Sequence, residues 1–292
     1  MKQLVNTAIM QLYLLLTTAA IIQAGVIKEG EETTKKPCEG VMINGIYHEV
    51  EELKTDIDRP YMLAVDYSTN TVYFSYSLNT NDDVFKTASV DLNTKAFADL
   101  NGINNGFAQA VDQNNNEVYI GGSDGIYKYN KKSNSAEFFG AKDSNIWTLF
   151  VKDKVYYSIF PSQFLYVLVN GESVRYKDLE DTKVDLFIID KNETIFFTNT
   201  TGLYSQQMGT KDTTLYKEFA NEGVRGLTTD INGNPYACLA DGIYKIDKSD
   251  ISLKKVVEID DAFGLAFDKD SNIVYSDATK LIRLKPNKDK TC

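Results

Sequence analysis

One phrase returns six times along this chain, and its spacing constrains the fold more than any local propensity does. LAVDYSTNTVYFSYS, carrying Asp66, recurs as QAVDQNNNEVYIGGS (Asp112), LFVKDKVYYSIF (Val151), FIIDKNETIFFTN (Asp190), LTTDINGNPYACLA (Asp230) and LAFDKDSNIVYSDA (Asp268). The anchors lie 46, 39, 39, 40 and 38 residues apart. A period near forty with this internal pattern is the signature of a β-propeller blade.

Each copy has the same anatomy. An apolar strand leads into a turn rich in Asp, Asn, Gly and Lys, and a second strand with Val, Ile, Tyr or Phe follows. A third strand is marked by Tyr127, Tyr166, Tyr204, Tyr244 or Ile282, 14 to 15 residues after the anchor, with Phe85 a looser match at 19. Asn, Asp and Gly tolerate the positive φ of tight turns, while β-branched and aromatic residues suit a pleated sheet. A more polar fourth strand is expected from SAEFFGA, TTLYKEF and LKKVVEI. Four strands in each of six repeats predict an all-β fold, a six-bladed β-propeller.

The last repeat ends at Leu284 and runs through Pro286 to Cys292, leaving no room for a fourth strand. Upstream of the first repeat stands VMINGIYHEVEEL (Val41 to Leu53), strand-like and without a blade of its own. This N-terminal strand is expected to close the last blade and so remove the open edges of a linear array.

Residues 1–24 stand apart from the repeat. Lys2, the apolar run Ile9 to Ile22 and the small Ala24 before Gly25 read as a cleaved secretory signal peptide. Residues 25–37, polar around GEETTKK, read as a flexible tail, and 38–292 as the propeller domain. The formal net charge of −10 becomes one unit more negative once Lys2 is removed, and no Lys or Arg cluster appears. That balance excludes nucleic acid and anionic membrane surfaces as partners. Of three cysteines, Cys38 and Cys292 are the expected disulfide, because closure brings the termini together, and Cys238 is expected to be buried and inert. Sequons at Asn192 and Asn199 are candidate glycosylation sites.

The usual catalytic parts are missing from the sequence. His48 is the single histidine, and there is no G-x-S-x-G elbow, phosphate-cradling Gly loop or paired-Cys motif. A residue recurring at one place in every blade belongs to the blade, so Asp66, Asp112, Asp190, Asp230 and Asp268 are read as turn-closing side chains rather than metal ligands. No metal and no cofactor are expected.

The positions that open each inner strand face the channel or its mouth. Counting back from the anchors gives Arg59-Pro60-Tyr61, Asn105-Gly106-Phe107, Asn145-Ile146-Trp147, Val184-Asp185, Val224-Arg225 and Ala262-Phe263. Aromatic rings and guanidinium groups suit a flat ligand bearing carboxylates. The candidate ligand-binding residues are therefore Trp147, Arg225, Tyr61, Phe107, Phe263 and Arg59, with Trp147 foremost because it breaks the repeat. The competing expectation is that these rings merely plug the narrowing channel.

The series DRPYMLAVDYSTNTVYFSYS, DDVFKTASVDLNT, GFAQAVD, VYIGGSDGIYKYN, NIWTLFVKDKVYYSIFP and IRLKPNKDKTC, together with the leader and the early and late cysteines, resembles the ommochrome-binding proteins of Lepidoptera. The resemblance implies a secreted haemolymph protein, monomeric here by expectation, that carries ommatin-type phenoxazinone pigments derived from tryptophan without changing them. It transfers no binding motif residue by residue. The rival is a metal-dependent propeller hydrolase, a lactonase or esterase of the gluconolactonase type. Those enzymes place a metal-binding Glu at the start of the first blade, where this chain has Asp58-Arg59-Pro60-Tyr61.

Overall fold

A computed structural model describes residues 39–78, 84–220 and 222–290. The proposed signal peptide, the tail, Cys38 and Cys292 lie outside the described residues, and with them the expected disulfide. Apart from one 3-10 turn at Lys177–Leu179, the regular structure among the described residues is β-strand. Six antiparallel sheets form, five of four strands and one of five. The chain is the six-bladed propeller expected.

In the first blade the strands Tyr61–Asp66, Thr71–Ser77, Phe85–Asp91 and Phe97–Asp99 run from the channel outward. Inner strands of the following blades begin at Ala108, Ile146, Phe187, Gly226 and Gly264. Burial follows that order. Thr194–Thr198, a second strand, is buried throughout, whereas Thr213–Glu218, the outer strand of the same blade, is largely exposed. A strand sandwiched between two neighbouring blades needs apolar residues on both faces, which explains unbroken runs such as Thr194-Ile195-Phe196-Phe197-Thr198.

Six apolar clusters fill the six gaps between blades. Tyr73, Val118, Ile120 and Tyr129 join the first blade to the second, and Cys238, Ile243, Leu265 and Phe267 join the fifth to the sixth. Burial in that last gap pushes the Cys238 thiol up to about 12, against the opposing pull of Arg225, so it stays protonated and unreactive at neutral pH.

The repeated aspartates close the turns as expected. Asp112 accepts the backbone N–H groups of Asn114 and Asn115, and Asp230 those of Asn232 and Asn234. Val151, the anchor without a carboxylate, is followed by a turn in which the Lys152 N–H reaches the Lys154 carbonyl.

Closure differs from expectation in one respect. Val41 to Leu53 is a hairpin rather than one strand: Ile46–Lys54 pairs with Leu281–Pro286, and Gly40–Ile43 adds a fifth strand outside it. The reason is Asn44-Gly45, whose φ values of 50° and 76° are those of a type I′ turn, a geometry that matches strand twist and that Asn-Gly adopts readily. Across the seam, the Ser276 hydroxyl donates to the Pro60 carbonyl at 2.7 Å.

Arg283 locks this seam. Its guanidinium, 7% exposed, pairs with Glu51 at 2.7 Å and with Asp268 at 3.3 Å, and donates to the Leu92 carbonyl at 2.8 Å. One side chain thus joins the N-terminal hairpin, the anchor of the last blade and the first blade. Burial alone would raise the Glu51 pKa, but the hydrogen bond and charge of Arg283 outweigh it and hold the carboxyl below its ordinary 4.5.

Candidate functional site

The six inner strands surround a central cavity of about 350 Å³, whose wall includes residues of every blade. One mouth lies where the inner strands begin, and the structure assembles the counted-back residues there into a belt. Arg225 lies over the Phe263 ring at 4.7 Å, Phe263 meets Tyr61 edge-on at 5.9 Å, and Tyr61 meets Phe107 at 5.9 Å. Phe107 stacks on Trp147 with ring centroids 4.7 Å apart and planes 24° apart. The Trp147 indole N–H then donates to Asp185 Oδ1 at 2.8 Å. Blades five, six, one, two, three and four are therefore linked in spatial order through one residue each.

Local sequence explains the belt. Gly106 carries no side chain because a Cβ there would meet Thr87 Oγ1 at 2.2 Å, and this close approach seats Phe107 in the mouth, where it is buried. In the first inner strand a bulge between Tyr61 and Ala64 puts Met62 at φ 51°. A bulge re-aims side chains, and Met62 packs against the apolar cluster between blades four and five, as does Phe150 from the third blade. Both residues line the cavity and narrow it.

The six sequence candidates separate into three groups. Arg225 lines the cavity itself. Tyr61, Phe107, Trp147 and Phe263 frame its rim, each one residue before a lining residue: Met62, Ala108, Thr148 and Gly264. Arg59 stands outside the cavity lining but beside the rim: its half-exposed guanidinium pairs with Asp58 at 2.9 Å and interacts with the Tyr61 hydroxyl. The rings pack against one another, so they make a continuous aromatic wall rather than separate slots.

Charge at the rim is paired but accessible. Arg225 contacts Asp261 at 2.6 Å and Glu222 at 3.8 Å, and both carboxylates are exposed. A ligand carboxylate can displace such partners at small cost, since exposed ion pairs are worth little. Asp185 also accepts a hydrogen bond from Gln163 Nε2 at 3.0 Å, which holds the carboxylate toward Trp147.

Counting back from the anchors did not find two further rings. Phe85, opening the third strand of blade one, lies 4.6 Å from Phe107, and Phe160, just past the second strand of blade three, lies 5.4 Å from Trp147. An aromatic residue at an inward-facing strand end was the available signal, and Phe160-Pro161 carried it. The sequon Asn192 is exposed in a turn, while Asn199 Oδ1 accepts the N–H groups of Thr201 and Gly202.

The donor set fits a divalent cation poorly. The six belt positions offer one carboxylate, Asp185, against four aromatic rings and a guanidinium, whereas such a cation takes several hard oxygen ligands. Among the described residues no group of three or more His, Cys, Asp or Glu side chains is arranged to hold a metal, and no helix is long and apolar enough to cross a membrane.

No family model matches the chain. Among solved structures it resembles a gluconolactonase from Xanthomonas campestris, with a TM-score of 0.68 and 13% identity over 85% of this chain and 92% of that one. It also resembles the calcium-binding protein regucalcin from Agrobacterium tumefaciens, with a TM-score of 0.61 and 10% identity over 81% and 94%. At those identities the likeness concerns the fold alone. In sequence the chain is 32% identical over 260 residues to the ommochrome-binding protein of Manduca sexta, covering 86% of this chain and 92% of that relative. Identity at that level over 86% of its length places this chain in the ommochrome-binding protein family.

Proposed function

We propose that this protein is a secreted haemolymph carrier that binds an ommatin-type phenoxazinone pigment non-covalently, at the aromatic mouth of its channel, without catalysis. The observation that carries the reading is the belt: Arg225, Phe263, Tyr61, Phe107 and Trp147 in unbroken contact around the opening of a cavity. A cavity of about 350 Å³ falls in the range that takes a small flat molecule. The pigment's rings lie against the wall of rings and a carboxylate reaches Arg225, a pairing stronger than a neutral hydrogen bond. The name of the Manduca sexta relative agrees with such a ligand. Cleavage after residue 24, the Cys38–Cys292 bridge, glycans on Asn192 and Asn199 and a monomeric state belong to the same proposal.

The likeness to gluconolactonases favours a second reading, a metal-dependent lactonase or esterase. The two separate in a turnover assay. Under the carrier reading, lactones and aryl esters remain unhydrolysed with or without added calcium. Hydrolysis abolished by a chelator and restored by calcium would replace it with the hydrolase.

A further inference from the structure

Gln109 is the anomaly in the channel wall. It sits in the inner strand Ala108–Asp112, is 6% exposed, and lines the cavity. Its ladder partner on the second strand is Ile120, and the corresponding inner-strand positions of blades five and six hold Leu227 and Leu265. Gln109 Nε2 donates to the Phe107 carbonyl at 2.9 Å. That bond fixes which end of the amide is which, because the reversed amide would set two carbonyl oxygens against each other. Gln109 Oε1 is then left buried with no hydrogen-bond partner among the described residues. Other buried polar atoms without partners, such as those of Tyr73 and Tyr157, belong to residues that do not line the cavity, and Gln109 is the one that does.

A buried acceptor left unpaired is destabilising, so a ligand that supplies its donor gains what the empty protein lacks. We infer that Gln109 is a specificity-determining residue of the pigment site: its Oε1 accepts a hydrogen bond from an N–H or O–H on the edge of the flat ring system that enters the channel. The inference rests on the channel being the pigment site and adds the class of ligand it selects, a planar heteroaromatic with a donor on its leading edge. Because Gln109 is bonded to the backbone of Phe107, which stacks on Trp147, the residue that reads the edge is anchored to the wall that holds the rings.

Two dyes of one skeleton test this, 2-aminophenoxazin-3-one, which carries a donor, and phenoxazin-3-one, which does not. Each is titrated against the full protein and the Gln109→Met variant, with binding read from dye absorption and Trp147 fluorescence. The wild type should bind the amino dye at least tenfold more tightly, since sites with a buried acceptor discriminate strongly against ligands lacking the donor. Gln109→Met should bind the two dyes equally; it removes the unpaired Oε1 and also the donor to the Phe107 carbonyl, so its unfolding midpoint in urea is measured beside the wild type's to confirm that the variant is folded at the assay temperature. Equal wild-type affinities, or a preference that survives in the variant, would overturn the role of Gln109 while leaving the channel as the pigment site. If the wild type binds neither dye, the channel reading falls and the role of Gln109 falls with it. The wild-type comparison decides the matter even if the variant does not fold.

Discussion

Replacing Arg283 with leucine should lower the stability of the folded protein by about 3–5 kcal/mol, the largest effect expected of any single substitution outside the apolar gaps. Leucine fills the space but leaves Asp268 buried without the cation it pairs with, Glu51 half-buried without its main counter-charge, and the Leu92 carbonyl without its donor. Arg283→Lys keeps the charge but not the planar fork that serves three acceptors, and should cost less, about 1–2 kcal/mol. Urea unfolding at neutral pH measures both.

The effect has a pH signature whose sign follows from Glu51. Its folded pKa lies below the ordinary value, so its contribution is fully present above about pH 4.5 and is lost as pH falls through the lowered folded value. The gap in stability between wild type and Arg283→Leu should therefore narrow under acid. A gap below about 1 kcal/mol at neutral pH would mean that the hairpin docks by strand pairing and apolar contact alone.

The second large effect concerns ligand affinity. Arg225→Ala should weaken pigment binding by ten- to a hundredfold, the equivalent of about 1.4–2.7 kcal/mol for losing a charge-assisted contact at a partly desolvated rim. Its present partners Asp261 and Glu222 are exposed and solvate freely, so the fold should survive the change. Trp147→Ala should weaken binding by a similar factor but also cost stability, because it removes the ring stacked on Phe107 and the donor to Asp185. Trp147→Phe helps separate the two contributions: it keeps a smaller ring in the wall and removes the N–H donor to Asp185. Isothermal titration with an ommatin-type pigment reads all three. Unchanged affinity in both Arg225→Ala and Trp147→Ala would move the site away from this mouth.

The parts of this molecule that repeat were the parts legible in its sequence. Asp66, Asp112, Asp190, Asp230 and Asp268 mark one turn in five of the blades, Val151 marks the third, and counting back from these anchors reached the six positions that form the belt. Counting fails where loop length departs from the repeat. Phe85 and Phe160 reach the same mouth from the third strand of one blade and the second strand of another, so no offset from an anchor finds both.

The Asn44-Gly45 turn was written in the closing segment as an Asn-Gly pair between two strand-like stretches, and reading Val41 to Leu53 as one strand passed over it; the positive φ values mark the turn. Arg59 lies two residues before the offset that Tyr61 holds, and its side chain is shared between its own neighbour Asp58 and the Tyr61 hydroxyl at the edge of the belt, a matter of local hydrogen bonding on which spacing is silent. Gln109 needed the ladder as well as the sequence, since a buried unpaired oxygen is a property of packing.

The most direct test of the account uses the single tryptophan. The purified protein is titrated with an ommatin-type pigment while absorption of the pigment and emission of Trp147 are followed together. Binding at the aromatic mouth predicts saturable one-to-one quenching of Trp147 with a matching shift in the pigment spectrum, both weakened in Arg225→Ala. A saturable spectral shift without quenching would place the pigment elsewhere on the propeller, and neither signal at any pigment concentration would contradict the carrier function itself.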